Sequence, residues 1–297
     1  MKKIEAPIHG TWPVVERWLT SLGPGAAPLV SAAAWSPVFS NQGFPPGDEL
    51  LTELWTTGGD VSWLGGPAVA GLDSWPRNAD GDPLAHVATF ALRGLDGTSI
   101  TEEKDAWPEH EQGLPTEGSL EVFHDLNVYG WEASDRDRRG WLVRWVAEPD
   151  RSRLVAAPSD LDTPTEVCQA GEFMPGFSLP APLDVTRDGD AAFEAAERAH
   201  ALLDEGWRVQ MDEASHALPV THAYGHSRTG RGAVREVLNE VLPLRGPGDA
   251  HRLLFDIESW THLSGWFGDA APLEVWMRQS DLAARRFDEA WCLTRTD

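Results

Sequence analysis

Three histidines, His216, His222 and His226, fall within eleven residues of one another. The i, i+4 spacing of His222 and His226 would, on a helix, aim both imidazoles at one metal ion. Pro219 just before them and Gly225 between them oppose a helix, and no Glu follows His222, so the pattern H-E-x-x-H is absent. The plainer reading is a histidine packed in the fold or bonded at a turn, with no metal. Just downstream, Gly225-His226-Ser227-Arg228-Thr229-Gly230-Arg231-Gly232 mimics a phosphate loop. Arg231 stands where the lysine belongs and Gly232 where the Ser/Thr that holds Mg²⁺ belongs, which excludes a nucleoside triphosphatase. Arg228 and Arg231, at the start of a helix, could still hold an anion or a carboxylate. A third group, Asp256, Glu258 and Asp269 near His251 and His262, offers paired carboxylates. These do acid–base work only where burial separates their pKa values, and capping or a solvated edge is the ordinary alternative. Trp260 and Trp266 flank a His/Ser/Gly loop and could anchor a protein or a sugar, or fill a core. There is no G-x-S-x-G elbow and no cysteine in an activating context.

Helices and strands alternate in batches around these residues. Val14, Val15, Trp18, Leu19 and Leu22 give a first helix one apolar face, with Thr11 at its cap and Gly23-Pro24 at its end. Leu50, Leu51, Leu54 and Trp55 mark a second, ending at Gly58-Gly59. Alternation predicts strands over 84–92, 120–126 and 141–147, separated by Pro-, Gly- and Asp-rich loops. Periodicity is weak over 154–184, which reads as long loops with one or two short strands. A helix then starts at Asp188 or Asp190, buries Ala192, Ala196, Ala199 and Leu203, and closes at Gly206. Val234, Val237, Leu238 and Val241 mark another, ended by Pro243. Strands over 252–257, 273–277 and 290–294, with a short helix over 281–286, finish the chain. This order is α+β, not an alternating βαβ chain, and no G-x-G-x-x-G follows a strand.

Several blocks are more specific than periodicity. They are Leu64-Gly65-Gly66-Pro67, then Trp75-Pro76 with Gly81-Asp82-Pro83-Leu84, then His222-Ala223-Tyr224-Gly225-His226. They continue with Arg252-Leu253-Leu254-Phe255-Asp256-Ile257-Glu258-Ser259, Trp266-Phe267-Gly268-Asp269, Leu273-Glu274-Val275-Trp276 and Asp281-Leu282-Ala283. In this order they resemble the bacterial YwqG-like family, a domain of unknown function, over about residues 60–297. Asp256 replaces the family's usual Gln, and Phe267 separates Trp266 from Gly268. The resemblance implies a mainly β, roll-like domain with flanking helices and no established activity. It also implies immunity-like or accessory roles, because some relatives lie near toxin loci. Residues 1–59 would then be an N-terminal helical segment packed on that domain.

Charge bounds the partners. Asp plus Glu number 47 against 24 Lys plus Arg, a formal charge of −23, and the densest basic stretch, Asp135-Arg136-Asp137-Arg138-Arg139, is broken by acids. Such a surface repels phosphate backbones, so nucleic acid is not expected as a partner. It attracts cationic proteins or ligands in a salt-sensitive way, or simply keeps the chain soluble. Two cysteines make no disulfide framework, no apolar run approaches the ~20 residues of a membrane span, and the N-terminus does not read as a signal peptide. The expectation is a cytoplasmic, non-enzymatic binding protein without cofactor or membrane partner, docking a basic, toxin-like protein. Its rivals are a hydrolase built on the His/acid cluster and a small-molecule or sugar module built on tryptophans.

Overall fold

The structure is a computed structural model that describes residues 5–7, 10–41, 43–98, 101–110, 113–162, 168–212, 221–227, 230–258 and 272–294. The strands are β1 (Ala34–Trp35), β2 (Val38–Ser40), β3 (Ser62–Gly65), β4 (Ala68–Val69), β5 (Ala85–Ala91), β6 (Ser119–His124) and β7 (Trp141–Val146). They continue with β8 (Leu154–Val155), β9 (Cys168–Met174), β10 (Phe177–Ser178), β11 (His222–Ala223), β12 (His251–Glu258), β13 (Pro272–Arg278) and β14 (Trp291–Thr294). The helices are α1 (Trp12–Ser21), α2 (Ala27–Ala32), α3 (Asp48–Thr56), α4 (Leu92–Asp96), α5 (Thr101–Asp105), α6 (Asp190–Asp212), α7 (Arg231–Val241) and α8 (Gln279–Ala283).

Among the described residues, ten strands form one antiparallel sheet in the order β14-β13-β12-β11-β2-β9-β3-β5-β6-β7. The sheet curls until it nearly closes. Phe90 of β5 stacks on Phe255 of β12 with ring centroids 4.0 Å apart, although five strand pairings separate β5 from β12. That contact requires opposite walls of a roll. The segment between β6 and β7 bridges the remaining gap: Thr294 N donates to Tyr129 O (3.0 Å), and Trp291 Nε1 donates to Gly130 O (2.7 Å). A Cβ on Gly130 would collide with the Cys292 carbonyl, so only glycine permits this approach.

The fold is α+β, as the order of elements implied, and two local expectations are corrected. First, 154–184 holds more than one or two short strands: besides the two-residue β8 and β10, β9 is a seven-residue inner strand between β2 and β3. Second, α6 runs through Gly206 to Asp212 instead of ending there. A glycine inside a helix costs only about 1 kcal/mol against Ala, and the buried Ala192, Ala195, Ala196 and Ala199 hold the helix in place. The N-terminal segment carries α1, α2 and α3, as expected, and also contributes β2, which lies between β11 and β9 of the main sheet. Both faces of the inner strands are covered, which hides their alternation. The inner face packs on Leu120, Val122, Phe90 and Phe255, and the outer face of β3 and β9 packs against Leu51 and Trp55 of α3. Helix α7 covers the outer face of β13 and β14 through Val234, Leu238, Trp276 and Trp291.

Candidate functional site

The register of three strands brings ionisable side chains into one row. His222 lies directly opposite Asp256, and Asp256 directly opposite Glu274. Directly opposed residues of antiparallel strands share a face, so an imidazole and two carboxylates stand side by side. All three are buried, as are Glu258 and Ser227. Ser227 Oγ donates to Glu274 Oε1, and Trp276 Nε1 donates to Glu274 Oε2 at 2.8 Å. The serine is therefore bonded to a carboxylate. His222 Nε2 lies 3.0 Å from the His226 carbonyl. A carbonyl only accepts, so Nε2 carries the ring proton.

The turn after β11 shapes the surface in front of this row. Tyr224 (φ 61°) and Gly225 (φ 74°) are both left-handed. A Cβ on Gly225 would run into Ser178 Oγ and Ser36, which explains the glycine. The turn lets His226 N donate to Ser178 Oγ (2.9 Å) and His226 Nε2 donate to Ala32 O (2.5 Å), with Glu109 Oε2 3.9 Å away. His222 and His226 thus interact through ring and carbonyl and not as a metal pair, because the segment is strand and turn instead of helix. Among the described residues, no group of three or more His, Cys, Asp or Glu side chains is arranged to hold a metal ion.

His226 forms part of the wall of an open cavity of about 820 Å³ between α2, the 3-10 stretch Pro182–Asp188 and the start of α7. Glu109, Asp184 and Asp188 line it together with Arg187 and Arg235. The N-terminus of α7, where an anion was expected, receives an internal one: Gly232 N donates to Asp184 Oδ1 at 2.8 Å. The helix end and the carboxylate satisfy each other. Trp260, Trp266, Asp269 and Arg228 lie outside the described residues, as does the side chain of Arg231. Of the anticipated site residues, His222 and His226 are therefore brought together, one behind the cavity wall and one in it. Glu274 and Asp184 were missed. An acid inside the apolar run Leu273-Glu274-Val275-Trp276-Met277 was the available signal for the first; nothing in the sequence marked Asp184.

The other motif blocks among the described residues make structural contacts. Trp63 is fully buried, with Nε1 donating to Pro67 O (2.8 Å), and Trp75 Nε1 donates to Leu84 O (2.8 Å). His86 Nδ1 donates to Gly65 O (2.9 Å), which leaves Nε2 to accept from Thr89 Oγ1 (2.8 Å). Burial lowers the His86 pKa to about 4, so this ring is neutral at pH 7. Asp281 is fully buried under Arg278, Arg245 and Arg286. These cations and that burial act in opposite directions, and the carboxyl ends below its usual range.

Residues 62–295 match the family model described as "Domain of unknown function (DUF1963)". The chain belongs to this family. The match begins at β3, so α1–α3 and β2 precede it, and it takes in the His222–Asp256–Glu274 row, His226, and the wall of the cavity that α7 provides. The part of the cavity wall from α2 lies outside the DUF1963 match. No curated protein matches the chain.

Proposed function

We infer that this DUF1963 protein is a non-enzymatic binding protein that docks a basic protein partner over the cavity at His226 and the adjoining acidic face of α6. The reading takes DUF1963 to be the YwqG-like family, and it takes an immunity-like or accessory role in the cytoplasm as its setting. The carrying observation is where the charges sit. Much of the positive charge is spent internally: Arg144 on Glu121, Arg278 and Arg286 on Asp281, Arg136 on Glu289, Lys104 on Asp96. Carboxylates face solvent on α6 at Asp190, Glu194, Glu197 and Asp204, one stripe at helical spacing, and the stripe continues into Asp188 and Asp184 at the cavity. Such a face raises the encounter rate with a cationic partner and selects against phosphate backbones. Burial raises the thiol pKa of both free cysteines, Cys168 and Cys292, which suits a reducing compartment without requiring it.

The hydrolase reading has less support. His222, Ser227, Asp256 and Glu274 lie buried, and the serine faces a carboxylate. A sugar module draws on Tyr129 and Trp131, adjacent exposed rings 5.8 Å apart. The test is capture of partners by the purified protein at about 50 mM and about 300 mM salt. A basic protein held at low salt, released at high salt and lost on combining Asp188→Lys, Glu194→Lys and Glu197→Lys is the expected result. A partner held equally by the reversed variant, or none at either salt, overturns the reading.

A further inference from the structure

A second cavity, of about 370 Å³, shares no lining residue with the first. Its walls include Trp35, Leu92, Leu95, Leu114 and Tyr224, and three charged residues also line it: Arg285, Lys104 and the Asp96 that pairs with Lys104. Lysine is almost never fully buried unless paired. Lys104 is 5% exposed, with Nζ 4.7 Å from the Trp35 ring centroid and donating to Asp96 O (2.8 Å) and Oδ1 (3.1 Å). Arg285, by contrast, is exposed. It donates one N–H to Gly113 O, and among the described residues no carboxylate pairs with it, whereas the neighbouring Arg286 is bonded to Asp281.

The backbone adds an independent observation. Arg285 ends α8 in a Schellman turn: Arg286 N donates to Asp281 O, and Arg285 N donates to Leu282 O. Its φ is 59°, a position where glycine is the favoured residue. Among the described residues three non-glycines have positive φ, and two of them, Tyr224 and Arg285, line this cavity. Each such residue costs about 1 kcal/mol or more, and strain of this kind gathers at ligand sites. An arginine retained where glycine would relieve strain, without a carboxylate partner at the rim of a cavity that combines aromatic and leucine walls with a buried lysine, has the chemistry of an oxyanion receptor.

We propose that this cavity binds a small carboxylate with an apolar or aromatic body, the carboxylate meeting Arg285 and the Lys104 side of the cavity and the body lying against Trp35, Leu95 and Leu114. The volume admits a molecule of one or two rings. The site is independent of the acidic face, so a failed partner capture leaves it standing, and the reverse holds too.

The experiment is calorimetric titration of the full chain with benzoate, phenylacetate and indole-3-acetate, each beside its primary amide. At least one acid is expected to bind saturably and about tenfold or more tighter than its amide. Arg285→Gly should weaken that acid about tenfold or more while leaving Tm unchanged or raised, because it removes the charge and the strain together. A purely structural arginine gives the Tm effect without the affinity loss. Lys104→Met, which keeps the stem against Trp35, should also weaken the acid. Equal affinities for acid and amide, an unchanged affinity in Arg285→Gly, or no saturable binding up to about 10 mM overturns the proposal.

Discussion

Arg136 Nη1 lies 3.0 Å from Glu289 Oε2, and Arg136 Nη2 donates to the carbonyls of Glu289 (3.1 Å) and Ala290 (3.3 Å). One guanidinium thus ties the turn between β6 and β7 to the start of β14, where the roll closes. The ion pair itself is partly exposed and adds little in water. The two carbonyl bonds and the 5.1 Å stacking of the guanidinium on Trp291 add the larger share. Arg136→Ala should cost about 1–2 kcal/mol in urea unfolding, and Glu289→Gln clearly less. Equal losses for the two variants would show that the ion pair, not the carbonyl bonds, holds the closure.

Acid should weaken the fold before the carboxylates titrate. His86 and His124 are buried, and burial lowers both pKa values from 6.5 to about 4. Below about 6.5 the unfolded chain takes protons that the fold refuses until about 4. The unfolded state then binds more protons, so stability is full above that window and falls as pH falls through it, by about 3 kcal/mol per ring at most. His124 stacks on Trp141 at 6.0 Å, and among the described residues neither of its ring nitrogens has a hydrogen-bond partner. His124→Phe keeps the stack and should flatten the Tm-versus-pH curve between pH 6.5 and 4. An unchanged slope would remove His124 as a source.

Gly225→Ala tests the turn that presents His226. The new methyl meets Ser178 Oγ and Ser36, in a backbone with φ 74°. A loss of about 2 kcal/mol or more is expected, with recovery of the steric part in the double variant that adds Ser178→Gly. Thermal melts of the single and double variants decide it; a single variant as stable as the parent would mean that the turn is not constrained.

Much of this architecture was legible from periodicity: α1, α3, α7 and strands β5–β7 and β12–β14 fall where apolar spacing placed them. β9 was hidden because its sequence, Cys168-Gln169-Ala170-Gly171-Glu172-Phe173-Met174, packs small residues against a crowded neighbour. Gly171 lies against the Phe39 ring and the Ser40 carbonyl, where a larger side chain would not fit and no alternation results. At the site, residue types pointed to His222 and His226, but burial depends on register. Asp256 looked like a candidate solvated edge until β11 and β13 flanked it. The αL backbone of Arg285 and the burial of Lys104 are tertiary facts with no local signature.

Glu121 of β6 is fully buried. Arg144 Nε, on the directly opposed residue of β7, donates to Glu121 Oε2 at 2.5 Å, and Val69 N donates to Oε1 at 2.6 Å. Burial raises the Glu121 pKa, and Arg144 and the Val69 amide oppose that rise. Arg144 also donates to the Val69 (2.8 Å) and Gly71 (3.3 Å) carbonyls, so the pair fastens the β4–β8 ribbon over the sheet. Arg144→Met leaves a buried carboxylate without its cation and should cost about 3–5 kcal/mol. Adding Glu121→Gln removes the uncompensated charge while an amide oxygen can still accept from Val69 N. The double variant should therefore recover a large part of that loss, measured by urea unfolding of both. Additive losses in the cycle would mean that the two side chains stabilise the ribbon independently, and that the ion pair is not its fastening.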